Sequence, residues 1–237
     1  MGLQYRRVLI KISGEALSGE KGTGYDFDFV TSVCESVKEC LQEGAQIGIV
    51  IGGGNFWRGV KDGAGKIERV SADRMGMLAT AMNCLAVKDV FRQCGVTARI
   101  MTAIDIQGVG ERHDVNQAKG YLDDGKVVLF GCGTGNPFFS TDTAAVLRAA
   151  EIRADAILLA KNIDGVYSAD PRKDPTAVKF DEISYQEVLS KRLQVMDSTA
   201  TSLAMDNNLP VLVFALKDPK NIGRVLRGER VGTLVHG

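Results

Sequence analysis

The chain has 237 residues, which suits one large α/β domain or two small ones. Because no Pro/Ser-rich linker divides it, we expect a single domain over residues 1–237. Its 29 basic and 29 acidic residues balance, which argues against a nucleic-acid-binding protein, since general DNA and RNA binders draw affinity from clustered basic charge. The five cysteines form no C-x-x-C pair, no apolar run could span a bilayer, and the start lacks the apolar region of a signal peptide. We therefore expect a cytoplasmic protein with reduced thiols and no membrane segment.

The predicted elements alternate between strands and helices. Apolar runs, and apolar residues at steps of three and four, predict in chain order strand 8–10, helix 27–43, strand 47–51, helix 70–94, strand 97–103, helix 115–124, strand 127–130, helix 142–152, strand 156–160, helix 184–190, helix 197–207, strand 211–215 and strand 232–235. The stretches 14–26, 52–69 and 161–182 are irregular. This alternation predicts an α/β fold, a three-layer αβα sandwich around a mainly parallel sheet.

Several residues suggest where helices begin and end and which side is apolar. Gly44 suits the C′ position of the first helix. Thr141 or Asp142 could cap helix 142–152, and Asp197 or Ser198 could cap helix 197–207. Helix 70–94 carries one apolar side, formed by Met75, Leu78, Met82, Leu85 and Phe91.

Glycine-rich turns follow three of the predicted strands, at Lys11–Gly14, Gly52–Asn55 and Gly131–Pro137. Ligands of open α/β sheets bind at the carboxyl ends of the strands, and glycines there let backbone amides converge on an anion. A structural turn needs one or two glycines, so the third in Gly52–Gly54 suggests close approach of a ligand. Three such turns, with a lysine on the first, indicate a polyphosphate ligand.

Charged residues beside these turns have more than one interpretation. Lys11 is a solvated strand end or, more consistent with its glycine turn, a compact charge that follows a phosphoryl group from donor to acceptor. Arg58 is a surface residue or a second cation for phosphate. Asp142 could be an N-cap only, could hold Lys11 in position, or could help to bind metal-complexed phosphate. Asp73 is a helix-start carboxylate or an acceptor for ribose hydroxyls.

The third turn and a later loop offer candidate nucleotide contacts. Gly133–Phe139 leads into Ser140-Thr141-Asp142 and a helix N-terminus, a combination of amides and hydroxyls that suits anions. Phe138 and Phe139 are core residues, or one of them borders a nucleobase. The segment 162–171 is a surface loop or a second nucleotide subsite, with Tyr167 beside a base and Asp170 accepting a hydrogen bond.

Other nucleotide-binding and catalytic motifs are not supported. Gly120–Lys126 matches G-x-x-x-x-G-K, but Val127 follows where a P-loop needs Ser or Thr, and a strand follows where a P-loop opens a helix. We interpret it as a helix end and a turn. No Rossmann G-x-G-x-x-G or hydrolase G-x-S-x-G occurs, and we expect His113 and His236 to be bystanders.

Five motifs are similar to those of the bacterial uridylate (UMP) kinases, which belong to the amino-acid kinase superfamily. They are Lys11–Leu17, Gly52–Asn55 with Arg58, Asp73–Thr80, Gly133–Phe139 and Asp164–Pro171. The resemblance extends from Arg7 to Val235. The Lys-Ile-Ser-Gly and triple-glycine motifs are shared with kinases that phosphorylate carboxylates or carbamate. The Gly133–Phe139 motif and the Met-Gly-Met-Leu-Ala-Thr helix point to the UMP branch.

The resemblance implies Mg²⁺-dependent transfer of the ATP γ-phosphoryl group to UMP, in pyrimidine nucleotide biosynthesis. It implies catalytic roles for Lys11 and Asp142. On the ATP side it implies Lys11, Ile12, Ser13, Gly14, Gly54, Arg58, Asn162, Tyr167 and Asp170. On the UMP side it implies Gly53, Asp73, Thr134, Gly135, Asn136, Pro137, Phe138, Phe139, Ser140 and Thr141. For the domain as a whole, the resemblance implies an acceptor side mainly in the N-terminal half and an ATP side mainly in the C-terminal half.

The resemblance also implies a homo-oligomer, a hexamer, that GTP activates and UTP inhibits. The segment associated with GTP is Gly19, Glu20, Lys21, Gly22, Thr23 and Gly24. Relatives often carry Lys-Ala-Thr-Lys where this chain has Leu159–Asn162, so Lys161 is a candidate for a second phosphate-facing lysine. Two alternatives stay open: a superfamily kinase with a carboxylate or carbamate acceptor, and a non-catalytic nucleotide-binding assembly on the same fold.

Overall fold

The structure is a computed structural model that describes residues 2–58, 65–193 and 195–237. Part of the stretch 52–69, expected to be irregular, therefore lies outside the described residues. The elements within them are β1 (Arg7–Ile12), α1 (Gly14–Leu17), a 3-10 turn (Gly19–Lys21), α2 (Phe27–Gln42), β2 (Gln46–Ile51), α3 (Arg69–Gln93), β3 (Ala98–Thr102), β4 (Glu111–Arg112), α4 (Val115–Asp123), β5 (Val127–Gly131), α5 (Thr141–Ile152), β6 (Ala156–Lys161), β7 (Val166–Tyr167), β8 (Lys179–Phe180), β9 (Glu182–Ser184), α6 (Tyr185–Ser190), α7 (Ser198–Asp206), β10 (Val211–Ala215), α8 (Asn221–Leu226) and β11 (Thr233–His236).

The main sheet has the strand order β4-β3-β5-β2-β1-β6-β10-β11-β9. All neighbouring strands in it are parallel except β10 and β11. Strand β1 lies in the interior, where Lys11 is level with Val50 of β2 and Leu159 of β6. The prediction of an α/β fold with a mainly parallel sheet is confirmed, and the glycine turns after β1, β2 and β5 meet at one edge of that sheet.

Helices cover both faces of the sheet. Because side chains alternate along each strand, each face carries its own apolar side chains, which pack against these helices. Val8, Ile10 and Ile12 of β1 are buried in one apolar core together with residues of α2, α3 and α8. Leu9, between them, belongs to a second core with residues of α4, α5, α6 and α7. The two cores on opposite faces give the expected three layers.

The long elements agree with their predictions, as do the short helix α6 and strand β11, but other short elements were missed. Helices α2, α3, α4 and α5 lie within about two residues of the predicted bounds. The short strands β4 and β9 and helix α8 have too few residues to show an apolar period, and the β7–β8 hairpin lies inside the segment 161–182 that was expected to be irregular. Gly125 makes the turn between α4 and β5, as expected for a helix end rather than a P-loop.

Two local predictions need correction. Ser140, and neither Thr141 nor Asp142, caps α5, whereas Asp197 caps α7 as predicted. The apolar side of α3 is divided, because Phe91 is fully buried while Met75, Leu78, Met82 and Leu85 are 38–48% exposed. We call these four residues the α3 stripe.

Among the described residues, no helix is both long and apolar enough to cross a membrane.

Candidate active site

An ion pair lies at the carboxyl edge of the sheet, between Lys11 of β1 and Asp142 in the first turn of α5. The Lys11 ammonium is 2.6 Å from Asp142 Oδ1, and the two side chains are only 12% and 18% exposed. The capping oxygen of Ser140 accepts hydrogen bonds from the amides of Asp142 at 3.0 Å and Thr143 at 3.1 Å. Of the three interpretations of Asp142, the N-cap is therefore wrong, and the contact with Lys11 is observed.

Asp142 Oδ1 has spare capacity to bind a cation. It is buried, and among the described groups it accepts no hydrogen bond beyond its ion pair with the Lys11 ammonium. The described residues include no cluster of three or more His, Cys, Asp or Glu that could enclose a metal ion. Mg²⁺ seldom needs such a cluster, because it binds one or two carboxylates and takes its other ligands from phosphate and water.

Two cavities meet at Lys11. The first, of about 610 Å³, lies between β1, β6 and the segment 162–173, and the second, of about 410 Å³, lies between the glycine turns and α3. Lys11, Ser13 and Glu15 line both cavities. An ammonium at this junction can contact a ligand in either cavity.

The residues expected on the ATP side divide between the two cavities. Asn162, Tyr167 and Asp170 line the first cavity together with Lys11 and Ser13. Gly14, Gly54 and Arg58 line the second. Ile12 lines neither cavity and is 2% exposed within the sheet core. The Tyr167 hydroxyl donates to Asp164 at 2.8 Å, and this hydrogen bond raises the pKa of Tyr167 and keeps the phenol neutral.

Most residues expected on the UMP side come together around the second cavity. It is lined by Gly53, Asp73, Thr134, Asn136, Phe139, Ser140 and Thr141. Gly135, Pro137 and Phe138 belong to the same turn but are not part of this lining. Phe138 and Phe139 are 66% and 51% exposed, so the interpretation of these two rings as core residues is wrong.

Close backbone packing explains two of the glycines. A Cβ on Gly14 would lie 2.5 Å from the carbonyl oxygen of Gly52, and a Cβ on Gly53 would lie 2.9 Å from both Ala79 Cβ and the Gly76 carbonyl oxygen. Neither position can accept a side chain without backbone movement. Contact with α3, and not only contact with a ligand, therefore requires Gly53.

Asp73 connects α3 to the third turn. It lies in the second turn of the helix, where its carboxylate accepts hydrogen bonds from Arg69 Nε at 2.8 and 2.9 Å and from the Phe138 amide at 2.7 Å. The guanidinium of Arg69 also lies 5.1 Å from the centroid of the Phe138 ring. Asp73 thus points into the second cavity and orders its wall.

Two residues near Lys11 add to the site. Asp197 was predicted only as a cap, but its carboxylate also contacts the hydroxyls of Ser140 and Thr143. Lys161, the candidate second lysine, lines the first cavity and donates to the Val195 carbonyl. Burial lowers the pKa of Lys161, the charge of Asp142 raises it, and the charge of Lys11 lowers it. Lys161 and Asp142 line one further cavity together, so Lys161 lies close to the central ion pair.

His113, for which we expected no functional role, takes part in a hydrogen-bonded cluster with Glu151 and Arg148. Its Nε2 is 2.8 Å from Glu151 Oε2, which also pairs with Arg148 Nη1 at 2.5 Å. Burial opposes ionisation of Glu151, but hydrogen bonds from His113 and Arg148 outweigh it and lower the pKa of the carboxyl group. Arg148 and Glu151 are three residues apart on α5, but His113 comes from the segment between β4 and α4, so no local sequence signal could have shown that it joins them.

The segment 19–24 contacts the second glycine turn without lining either cavity. The Thr23 hydroxyl donates to the Asn55 carbonyl at 3.0 Å, and the Gly24 amide donates to the same oxygen at 3.3 Å. The segment 19–24 is therefore hydrogen-bonded directly to the end of the turn Gly52–Asn55.

A mainly parallel sheet with helices on both faces defines an α/β protein, and the glycine turns, lysine and helix N-terminus at one edge are features that suit a phosphorylated ligand. The chain belongs to the amino acid kinase family, whose model matches residues 6–215.

Three solved structures show how far this similarity extends. The chain is similar to a UMP kinase from Bacillus anthracis, at 38% identity and a TM-score of 0.94 over 98% of this chain and 96% of the other. It is similar to a UMP kinase from Ureaplasma parvum, at 34% identity and a TM-score of 0.93 over 99% and 100%. A uridylate kinase from Archaeoglobus fulgidus is 28% identical, with a TM-score of 0.74 over 96% and 99%.

Proposed function

We propose that this protein transfers the γ-phosphoryl group of ATP to UMP and releases UDP and ADP, a step in pyrimidine nucleotide biosynthesis in the cytoplasm. The observation that carries the proposal is the position of Lys11 at the junction of two cavities. Each cavity is large enough for part of a nucleotide, and a phosphoryl group passing between them would stay beside one ammonium throughout.

The chemistry requires alignment and charge neutralisation more than proton transfer. The acceptor oxygen of UMP is already anionic, so no strong general base is needed. Lys11 would stabilise the transferring group, and the backbone amides of Gly53 and Gly54 would hold it in line between donor and acceptor. Asp142 would keep Lys11 in this position through their ion pair.

The first cavity would hold ATP. Ser13 lies at its inner end beside Lys11, where its hydroxyl and the following backbone can accommodate the donor phosphates. Asn162, Tyr167 and Asp170 would lie around the adenosine, with the neutral Tyr167 phenol presenting its ring to the base.

The second cavity would hold UMP. Asp73 would accept hydrogen bonds from the ribose hydroxyls, and the turn 133–139 with Ser140 and Thr141 would surround the phosphate and base. The N-terminus of α5, which Ser140 caps, adds the partial positive charge that favours a phosphate there.

Mg²⁺ would enter with ATP. The buried Asp142 Oδ1, which accepts no hydrogen bond from the described residues beyond its ion pair with Lys11, fits a cation that takes its other ligands from phosphate oxygens and water. The ion would neutralise charge on the polyphosphate.

We also propose a homo-oligomer, a hexamer, that GTP activates through the segment 19–24 and UTP inhibits. The α3 stripe supports self-association, because four exposed large apolar residues on one helix face form a surface that water solvates poorly. The contacts of Thr23 and Gly24 with Asn55 supply a physical link from the effector segment to the glycine turn.

The deciding experiment measures ADP formation from Mg²⁺·ATP with UMP, CMP, dUMP, aspartate, N-acetylglutamate and carbamate in parallel, with and without GTP. Turnover with UMP and none with the carboxylates or carbamate supports the proposal. Turnover with a carboxylate or carbamate would show that UMP is not the acceptor and would agree with the family assignment. Bound ATP without any product overturns catalysis and favours a nucleotide-binding assembly.

A further inference from the structure

We infer that Thr80 and Asn83, one turn apart on the buried face of α3, are positioning residues that set the spacing between the second and third glycine turns. The inference rests on the proposed function, since the two turns would hold the transferred phosphoryl group and the acceptor nucleotide. Thr80 ends the Asp73–Thr80 motif and lines the second cavity, whereas Asn83 lies outside the motifs and lines neither cavity.

Asn83 holds the second turn through a reciprocal amide pair. Its Nδ2 donates to the Gly52 carbonyl at 2.7 Å and to Asn55 Oδ1 at 2.8 Å, and its Oδ1 accepts from Asn55 Nδ2 at 3.0 Å. Asn55 Nδ2 donates further to the Gly24 carbonyl at 2.9 Å. Asn83 is 0% exposed and Asn55 is 2% exposed, so water cannot replace these bonds.

Thr80 holds the third turn at its first residue. Its hydroxyl accepts a hydrogen bond from the Cys132 amide at 2.7 Å and donates to the Met77 carbonyl at 2.7 Å. Cys132 has a φ of +66°, in the left-handed region that non-glycine residues disfavour. The Thr80 hydroxyl therefore stabilises a backbone conformation that non-glycine residues seldom adopt.

Helix α3 contacts both turns and has a regular, hydrogen-bonded backbone, which the glycine-rich turns lack. Glycine-rich segments lose the most conformational freedom on ordering, so backbone amides that must meet a phosphate need an external support. Thr80 and Asn83 supply that support from one helix face, three residues apart. A shift of either turn changes the distance between donor and acceptor.

Thr80→Val tests the inference, because valine keeps the shape and removes both hydrogen bonds. We expect the KM for UMP to rise about tenfold, as for one unsatisfied buried amide, with the KM for ATP unchanged. Thr80→Ser restores the hydroxyl and should restore the KM. Asn83→Ala, which releases Gly52–Gly54, should lower kcat about tenfold.

Thr233→Val is the matched control. Thr233 is also buried, accepts the Val166 amide and donates to the Phe180 carbonyl, so valine removes the same two kinds of hydrogen bond far from the second cavity. A comparable fall in Tm with an unchanged KM for UMP is expected. If Thr80→Val changes the KM for UMP no more than Thr233→Val does, the positioning role is wrong.

Hydrogen exchange separates this inference from the proposed function. Deuterium uptake over residues 131–139 should increase in Thr80→Val and not in Thr233→Val, whatever the activity. If the wild-type protein does not phosphorylate UMP but the variants show this exchange pattern, the proposed function is wrong and the inference that Thr80 supports the third turn stands. If Thr80→Val does not fold, the wild-type protein decides: a fast-exchanging Cys132 amide would overturn the inference, and a protected one supports it.

Discussion

The Phe138 amide donates to the Asp73 carboxylate across 2.7 Å, although Asp73 lies on α3 and Phe138 lies in the turn that precedes α5. Phe138 has a φ of +71°, so its backbone depends on such a contact. Asp73 therefore has two tasks when a nucleotide binds: it keeps the third turn in place with one bond, and it has further lone pairs for a ribose.

Asp73→Asn should reduce the preference for UMP over dUMP. The neutral amide weakens hydrogen bonds to the ribose hydroxyls, which are worth about 1.5–3 kcal/mol when the acceptor is charged. We expect kcat/KM for UMP to fall about tenfold or more, with a smaller fall for dUMP. Asp89→Asn, on the same helix with an exposed partner in Arg92, is the control and should leave the ratio unchanged. Equal efficiency of wild-type protein on both nucleotides would exclude this role.

Lys11→Met should lower kcat about 10²–10³-fold, as expected when a preorganised charge is lost from the transition state. It also removes the ammonium that pairs with the buried Asp142 carboxylate, so Tm should fall. The double variant Lys11→Met/Asp142→Asn removes the uncompensated charge and should recover Tm without recovering kcat. Kinetics and thermal unfolding of the three proteins measure this, and Lys38→Met, at an exposed helix pair with Glu35, is the control. Near-normal turnover of Lys11→Met would contradict the role.

Much of the site follows from the sequence because its parts are local. A strand followed by Lys-Ile-Ser-Gly or by three glycines specifies both the element and the turn, and parallel strands bring such turns to one edge. The sequence also shows that Asp142 is close to a helix start. It does not show that Ser140 forms the cap, because serine, threonine and aspartate can all cap a helix and the backbone entry angle decides among them.

The unpredicted parts depend on contacts between distant segments. Asn55 and Asn83 form a buried pair because α3 passes behind the second turn, and no periodicity signals that approach. The need for glycine at position 53 also depends on a distant contact, since packing against α3, and not a ligand alone, requires it. The α3 stripe has an apolar period typical of a core face, yet it is exposed in the single chain.

Met82→Glu should weaken self-association through the α3 stripe. Met82 is 48% exposed, and a charge there would have to be desolvated in any apolar contact between copies. We expect light scattering after size exclusion to show a smaller assembly at the same concentration. Val178→Glu, at an apolar residue that is 65% exposed and lies outside α3, should leave the mass unchanged. An unaltered mass for Met82→Glu, or a monomeric wild-type protein, would exclude the stripe as the contact.

The pH dependence of stability should depend on Glu151. Hydrogen bonds from His113 and Arg148 outweigh burial and lower the pKa of Glu151, so the folded state favours the ionised carboxyl more than the unfolded chain does. A lowered carboxyl pKa contributes stability that is fully present above the unfolded value, about 4.3, and is lost as the pH falls through the folded value. Glu151→Gln removes this contribution, so its Tm should fall less than that of the wild-type protein between about pH 6 and pH 3. Thermal unfolding across this range measures the difference, with Glu39→Gln on the exposed face of α2 as the control. Parallel Tm curves for the wild-type protein and Glu151→Gln would show that the cluster of His113, Arg148 and Glu151 does not favour the ionised carboxyl.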